Sequence, residues 1–370
     1  MTDKIYRQRV EQLQSNMQQD EIDVFMAFDL ANYYYFTGDM RKQPRALIPQ
    51  KGDPILFVFE GEKDEVQRIS WIENITTYRG LHEMMLAIIQ FFNGLGKEKP
   101  VMGIEFGFHL PAFMLERFKM ANPNVEIVDS KKIVSPLRMI KSDEEIALIE
   151  QACKIATAAM KKAADVLRAG MTEKEVAWEI EISVMEAGGD GLSFPTFVNS
   201  GYRSGWLHGL ATNKKIEKGD IVLIDVGTKY QGYCGDICRS FTIGPAKNEV
   251  KKIYTAYEKI QKEFIDNIAV GKQIYQCEEK ASQKAEEMGL GEYYVRGMMH
   301  GIGLDFEEVP FPTIFPDDVM LSFQENMTVS IGHAVFSIPK IGGVRFENTY
   351  HVLKDGLRQL THFENGLIEV

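Results

Sequence analysis

Hydrophobic positions in the first 130 residues form helical stripes separated by short apolar runs. Ile5, Val10, Leu13 and Met17 fall on one face of a helix, which predicts an amphipathic helix over about the first 20 residues. Three apolar runs that follow, at 23–27, 46–49 and 54–59, predict strands. Two further helical patterns cover 82–93 and 110–121. Strands that alternate with helices indicate an α/β unit.

The pattern changes near residue 135. Ser142 is followed three residues later by Glu145, a capping box that predicts the start of a helix. We place a domain boundary at 130–140. This boundary divides the chain into an N-terminal domain over 1–133 and a C-terminal domain over 134–370.

The C-terminal half contains an internal repeat. Long helices are predicted at about 143–168 and 247–269, and the glycines that end them lie 101 positions apart. A second helix follows each of them, one capped by Thr172 and Glu175 and one covering about 274–288. Each helix pair is then followed by strands. A helix–helix–strand unit that occurs twice predicts two halves packed face to face, with a cleft between their sheets.

Composition narrows the function classes. The 370 residues fit two domains, and 45% hydrophobic with 26% charged residues is a globular balance. The formal net charge of −11 predicts that the chain binds neither nucleic acid nor a membrane surface. Four scattered cysteines, no signal-peptide pattern at the start and no apolar run of about 20 residues together predict a cytoplasmic protein.

Two aspartates mark the most informative segment. Asp225 ends a β-branched apolar run, where an ionised carboxylate is costly unless it is paired or bound to a metal. Asp225 and Asp236 are symmetric about the 230/231 bond, so a tight hairpin centred there predicts side chains directly opposite each other. Two facing carboxylates repel unless a cation lies between them. The alternative is that one aspartate caps a turn and the other pairs with Arg239.

Two later segments add candidate ligands. His300 is followed by Gly301, which allows the close approach of backbone or ligand, and imidazole is a common metal ligand. A structural histidine is the alternative. Arg345 and Glu347 alternate with apolar residues and therefore share one strand face. An ion pair on an exposed face is the alternative for these two residues.

Together these segments resemble the superfamily of prolidase, methionine aminopeptidase and creatinase, and within it the Xaa-Pro peptidase branch. The resemblance covers nearly the whole chain, including 137–142 at the entry to the second half. The Asp-x-Gly…Gly-Tyr-x-x-Asp and His-Gly-Ile-Gly segments are specific at this spacing. The resemblance implies a creatinase/prolidase-like α/β N-terminal domain and an α+β catalytic domain of the pita-bread fold with a pseudo-two-fold repeat.

The resemblance also implies residue roles. Four residues are implied as metal ligands: Asp225, Asp236, His300 and Glu347. Two of them, Asp236 and Glu347, bridge two divalent ions in the family, usually manganese, cobalt or zinc. His208 falls where the family has a substrate-contacting histidine, and Arg345 falls where Xaa-Pro enzymes have an arginine near the substrate. A homodimer is also implied.

Two positions depart from the family pattern. Glu307 replaces a histidine that hydrogen-bonds the scissile carbonyl, and a carboxylate donates only when it is protonated. Gly332 replaces a glutamate that supplies a fifth ligand. The neighbouring His333 can act as a ligand only if a bulge re-aims its side chain. Either Glu307 supplies the missing carboxylate, or the chain binds one metal ion or none.

Three functions remain open from the sequence. The first is metal-dependent hydrolysis of the bond before proline in short peptides, and the four retained ligands favour it. The second is hydrolysis of a C–N bond in a small molecule, as in creatinase or ectoine hydrolase, with one metal ion or none. The changes at Glu307 and Gly332 favour this second function. The third is a non-catalytic relative that binds a partner.

Overall fold

The computed structural model describes residues 2–41, 45–107 and 110–370. The chain divides into two compact units, 1–138 and 139–370. The predicted boundary at 133/134 lies inside a helix that spans Lys131–Met139.

The first unit is built on a six-stranded mixed sheet. Its strands are β1 (Val24–Ala27), β2 (Ala46–Pro49), β3 (Ile55–Phe59), β4 (Ile75–Tyr78), β5 (Val101–Ile104) and β6 (Glu126–Asp129). Their order across the sheet is β4-β3-β2-β1-β5-β6. The central strand β1 runs antiparallel to β2 and parallel to β5. The predicted α/β unit is therefore present.

Helices flank these strands along the chain. They are α1 (Asp3–Gln19), α2 (Leu30–Thr37), α3 (Lys63–Ile69), α4 (Leu81–Gly94), α5 (Ala112–Ala121) and α6 (Lys131–Met139). Helix α1 buries Val10, Leu13 and Met17 along the predicted stripe. Helices α2, α3 and α6 were not predicted from the sequence. The start of α2 carries a sequence signal, because Asp29 is an N-cap whose side chain accepts a hydrogen bond from the Asn32 backbone N–H.

The second unit contains the predicted repeat of helix pairs. Its helices are α7 (Asp143–Val166), α8 (Glu173–Glu186), α9 (Asn248–Asp266) and α10 (Ile274–Glu287). The capping boxes at Ser142 and Thr172 are both formed. Among the described residues of both units, no helix is long and apolar enough to cross a bilayer.

The second unit has eleven strands, nine of them in one sheet. They are β7 (Gly191–Leu192), β8 (Phe197–Ser200), β9 (Ile221–Tyr230), β10 (Tyr233–Thr242), β11 (Met299–Gly301), β12 (Thr328–Ile331), β13 (Phe336–Ile338), β14 (Gly342–Val344), β15 (Glu347–Leu353), β16 (Gly356–Gln359) and β17 (Ile368–Glu369). The main path of the nine-stranded sheet is β11-β12-β15-β10-β9-β7, and β13 pairs separately with β14. The prediction of two sheets with a cleft between them is wrong. Strand β15 of the second half pairs with β10 of the first, which joins both halves into one surface.

Helix α7 packs closely against one face of this sheet. A Cβ atom added to Gly235 in β10 would lie 2.6 Å from the backbone of Ala152 in α7, so the glycine permits this close approach. Thr228, paired with Gly235 across the hairpin, donates to the Ala152 carbonyl at 2.8 Å. Adjacent strand residues point to opposite faces, so Asp236 points away from α7. The candidate site therefore lies on the opposite face of the sheet.

Candidate metal centre

The hairpin of β9 and β10 positions both aspartates. Its observed register pairs Tyr230 with Tyr233, Asp225 with Cys238, and Asp236 with Gly227. The predicted hairpin centre at 230/231 is therefore wrong by one residue. The turn is Gln231-Gly232, with positive φ angles of 46° and 82° that suit a tight hairpin. The aspartates still share one face, but they are diagonal neighbours rather than directly opposite.

His300 enters the centre from β11. Its Nδ1 donates to the carbonyl of Gly301 at 3.0 Å, which directs Nε2 towards the carboxylates. The Nε2 atom lies 3.5 Å from Asp236 Oδ2 and 3.7 Å from Glu347 Oε1. All three side chains are buried. The structure thus brings together His300 and two of the predicted carboxylates.

Arg345 lies in the same cluster, two residues before Glu347 in the chain. Its Nη1 donates to Asp225 Oδ2 at 2.6 Å, and its Nη2 donates to Glu347 Oε2. The guanidinium is buried, so the ion pair is part of the centre and not of an exposed face. Arg239 does not pair with an aspartate. It donates to backbone carbonyls and to the side chain of Asn348. The alternative in which one aspartate of the hairpin pairs with Arg239 is therefore wrong.

The buried charges shift one another's pKa values. Burial raises the pKa of Asp225 and of Asp236, and nearby carboxylates raise both further. Burial also acts to raise the pKa of Glu347, but Arg345 and His300 outweigh it and lower the value to about 2. Burial alone would lower the pKa of His300, but Asp236 and Glu347 raise it to about 10. Without a metal, a protonated imidazole therefore stands among the carboxylates.

The donor atoms fit a divalent cation. Three buried carboxylate oxygens, Asp225 Oδ1, Asp236 Oδ1 and Glu347 Oε1, have no hydrogen-bond partner. One ligand oxygen from each of these residues lies within 4.8 Å of the others. An orphaned buried oxygen is costly, and a cation satisfies all three at once. Carboxylates together with the imidazole of His300 suit a first-row divalent ion.

Position 332 cannot supply a further ligand. Gly332 has φ +124°, and an added Cβ would lie 2.0 Å from the carbonyl oxygen of Phe346. The N–H groups of Gly332 and His333 both donate to the Met298 carbonyl, at 2.7 and 3.1 Å. Two consecutive donors on one carbonyl are typical of a bulge. This geometry turns the His333 ring into the site, 5.1 Å from the His300 ring.

The remaining predicted residues complete a small pocket. Aromatic rings form one wall of the pocket, which is partly open to solvent. Its lining residues are Phe194, Phe197, His208, Asp225, Asp236, His300, Phe306, Glu307, His333 and Arg345. Glu347 lies in the same cluster, buried behind this surface. All eight residues that the sequence singled out therefore belong to one site.

Three supporting residues were missed in the sequence. Ser330 donates to Asp236 Oδ2 at 3.0 Å and orients that carboxylate. Tyr257 donates to the carbonyl of Gly332 at 2.6 Å, and Gln261 donates to the carbonyl of Phe346 at 2.6 Å. Gln261 could have been found in the sequence, because it is a polar residue within the apolar stripe of α9.

The fold and this centre define a two-domain metallopeptidase architecture. Residues 147–354 match the model of metallopeptidase family M24, and residues 9–140 match the Creatinase/Prolidase N-terminal domain. The chain belongs to metallopeptidase family M24. The predicted family and fold class are thus confirmed.

The proteins similar to this chain match it over nearly its full length. It is 30% identical to the Xaa-Pro dipeptidase of Pyrococcus furiosus, with 98% of this chain and 100% of the relative covered. The prolidase structure from Pyrococcus horikoshii superposes with a TM-score of 0.86 at 31% identity, covering 98% of this chain and 100% of that one. The Xaa-Pro dipeptidase structure from Bacillus anthracis gives 0.87 at 28% identity, covering 99% and 100%.

Proposed function

We propose that this protein is a metal-dependent hydrolase that cleaves the peptide bond before proline in short peptides. The observation that carries the proposal is the set of three orphaned carboxylate oxygens beside His300. The relatives named Xaa-Pro dipeptidase support the substrate class. The predicted homodimer and cytoplasmic location stay predictions from the sequence.

We assign one divalent ion to this acidic centre, held by Asp225, Asp236, His300 and Glu347. Gly332 offers no ligand, and Arg345 already supplies one positive charge between Asp225 and Glu347. A bound divalent cation supplies Lewis acidity at the scissile carbonyl and lowers the pKa of coordinated water. Manganese suits the oxygen-rich donor set.

The chain's own residues bind and orient the substrate. Phe194 stacks on Phe197 with ring centroids 5.3 Å apart, and Phe306 lies 5.1 Å from Phe194. These rings form an apolar wall that fits a proline ring and excludes water. His208 and Glu307 border the opening, where we place the polar groups of the peptide.

Arg345 acts as a positioning residue in this scheme. It fixes Asp225 and Glu347 through its two terminal nitrogens, while its Nε donates to the Gly332 carbonyl at 3.1 Å. The three bonds hold both carboxylates in one orientation, with one oxygen of each left for a cation. The proton of His300 must leave when the cation binds, because only neutral imidazole is a ligand.

The test is hydrolysis of Xaa-Pro dipeptides by the full chain after loading with Mn²⁺. We expect turnover that EDTA abolishes, with about one manganese ion retained per chain. Asp236→Asn should lose both the ion and the activity, whereas the exposed control Asp266→Asn should keep both. An Asp236→Asn variant that retains manganese and full activity would refute the acidic centre.

A second candidate is hydrolysis of a C–N bond in a small molecule. The substitutions at Glu307 and Gly332 favour it, because they remove a histidine and a ligand that the Xaa-Pro branch uses. In this case EDTA-treated protein should hydrolyse creatine-like guanidines or ectoine-like cyclic amidines while leaving Xaa-Pro dipeptides intact. The same two substrate classes, assayed with and without metal, therefore distinguish the candidates.

A further inference from the structure

Three side chains at the opening of the pocket form a second cluster of possible ligands. They are His208, Glu307 and His333, and one ligand atom from each lies within 4.8 Å of the others. His333 Nδ1 is 3.8 Å from Glu307 Oε1, and the rings of His208 and His333 are 5.7 Å apart. None of the three is among the four ligands assigned to the acidic centre, but one ligand atom of His333 also lies within 4.8 Å of ligand atoms of His300 and Glu347. We call them the mouth cluster.

His333 provides an independent sign of a missing ligand. Its Nδ1 is buried and has no hydrogen-bond partner, and the residue is only 3% exposed. The distance of 3.8 Å to Glu307 is too long for a hydrogen bond. A buried nitrogen without a partner costs about 1–3 kcal/mol, so something is expected to compensate for it.

The unpartnered nitrogen of His333 and the carboxylate of Glu307 face each other. The Nδ1 atom of His333 lies 3.8 Å from Glu307 Oε1, so a cation between them would be a partner for both side chains.

We propose that the mouth cluster binds one zinc or cobalt ion, separate from the ion of the acidic centre. Two imidazoles and one carboxylate are a ligand set that zinc accepts in open, four-coordinate sites. Such an ion holds its ligands at about 2.0–2.2 Å, so the three side chains must draw closer than 4.8 Å. His208 is exposed and Glu307 is half-buried, which leaves both free to make this adjustment.

The proposal gives one account of two departures from the family pattern. Position 332 loses its carboxylate, while positions 307 and 333 gain a carboxylate and an imidazole that face each other. The chain would then hold two ions, with the second displaced to the opening of the pocket. There it would meet the polar end of an incoming substrate. The inference does not depend on the reaction proposed above.

The first experiment is the zinc content of the full-length protein after loading with excess Zn²⁺ and removal of unbound metal. We expect about two ions per chain in the wild type and about one in His333→Asn and in Glu307→Gln. His362→Asn should retain two, because His362 is exposed and lies in none of the candidate ligand groups. X-ray absorption at the zinc edge should report three imidazoles shared by two ions, and only His300 in His333→Asn.

His333 is buried, so His333→Asn could lose zinc because it misfolds. His208 is exposed, so His208→Asn should weaken zinc retention without unfolding the chain. Two ions retained in Glu307→Gln and His208→Asn would overturn the proposal, and so would a wild type that holds one ion. Loss of an ion in His333→Asn alone would assign His333 to the acidic centre instead. Asp236→Asn should keep the mouth ion, which separates failure of this site from failure of the proposed function.

Discussion

The guanidinium of Arg345 contacts two buried carboxylates that are also candidate metal ligands. It balances part of the charge of Asp225 and Glu347, and protonated His300 balances part of the rest when no metal is bound. The metal-free centre is therefore a buried ion network. Such networks depend on every partner, because removing one leaves an uncompensated charge in a low dielectric.

Replacing Arg345 with methionine should destabilise the metal-free protein by about 3–5 kcal/mol, because two carboxylates lose their partner. Added Mn²⁺ should recover much of this loss, since the cation supplies the missing charge. Urea unfolding with and without Mn²⁺ measures both effects. Arg296→Met is the control, as Arg296 is exposed in its pair with Glu279 and should contribute less than about 1 kcal/mol. Equal losses in the two variants would contradict the prediction.

Gly332 illustrates how a single residue can exclude a ligand. Its φ of +124° and the carbonyl of Phe346 leave no space for a side chain. Tyr257 and Gln261 hold the surrounding carbonyls in place from α9. A glutamate introduced here would have to displace this hydrogen-bonded backbone, so the absent ligand cannot be restored by one substitution.

At the scale of elements, helix α7 connects the repeat to the site. It starts at the Ser142–Glu145 capping box, and the second carboxylate oxygen of Glu145 accepts from Tyr233 at 2.9 Å. Tyr233 begins β10, three residues before Asp236. The cap therefore sets the helix start and also anchors the hairpin that carries both aspartates.

Ser142→Ala should lower the free energy of unfolding by about 1 kcal/mol, because the backbone N–H of Glu145 loses its acceptor. The matched control in the same helix is Lys161→Ala, an exposed site where alanine is a good helix former. Chemical denaturation of both variants measures the difference. A Ser142→Ala variant as stable as the control would show that the cap contributes nothing.

At the scale of the whole molecule, the stability of the metal-free chain should depend on pH through His300. Its pKa rises from the ordinary 6.5 to about 10 in the folded state. The stabilisation is therefore complete below pH 6.5 and is lost as the pH rises through about 10. We expect the free energy of unfolding in EDTA to fall between pH 6.5 and 10, and divalent-metal affinity to rise over the same range.

Urea titrations at a series of pH values, with EDTA or with Mn²⁺, test this expectation. His300→Asn should flatten the alkaline fall in EDTA, because the titrating imidazole is gone. His351→Asn serves as a comparison, since the pKa of His351 is lowered by burial and Arg358 and its titration lies below 6.5. An alkaline fall that persists unchanged in His300→Asn would assign the effect to another group.

The sequence by itself determined the periodic elements and several of the candidate ligands. Apolar stripes and capping boxes predicted α1, α7 and the start of α8 to within a few residues, because helix periodicity and caps are local properties. Asp225 and His300 could be picked out because a carboxylate at the end of an apolar run, and a histidine beside a glycine, are unusual in a buried segment.

Only the tertiary structure decided how these pieces meet. The joining of β10 to β15 into one sheet and the two-residue turn at Gln231-Gly232 depend on pairing between distant segments and on a backbone geometry that periodicity does not encode. The same holds for Arg345, which the sequence placed on a strand face beside Glu347 but which also reaches Asp225, 120 residues away. The residue types available for the chemistry were therefore known from the sequence, whereas charge pairing and ligand geometry were set by long-range packing.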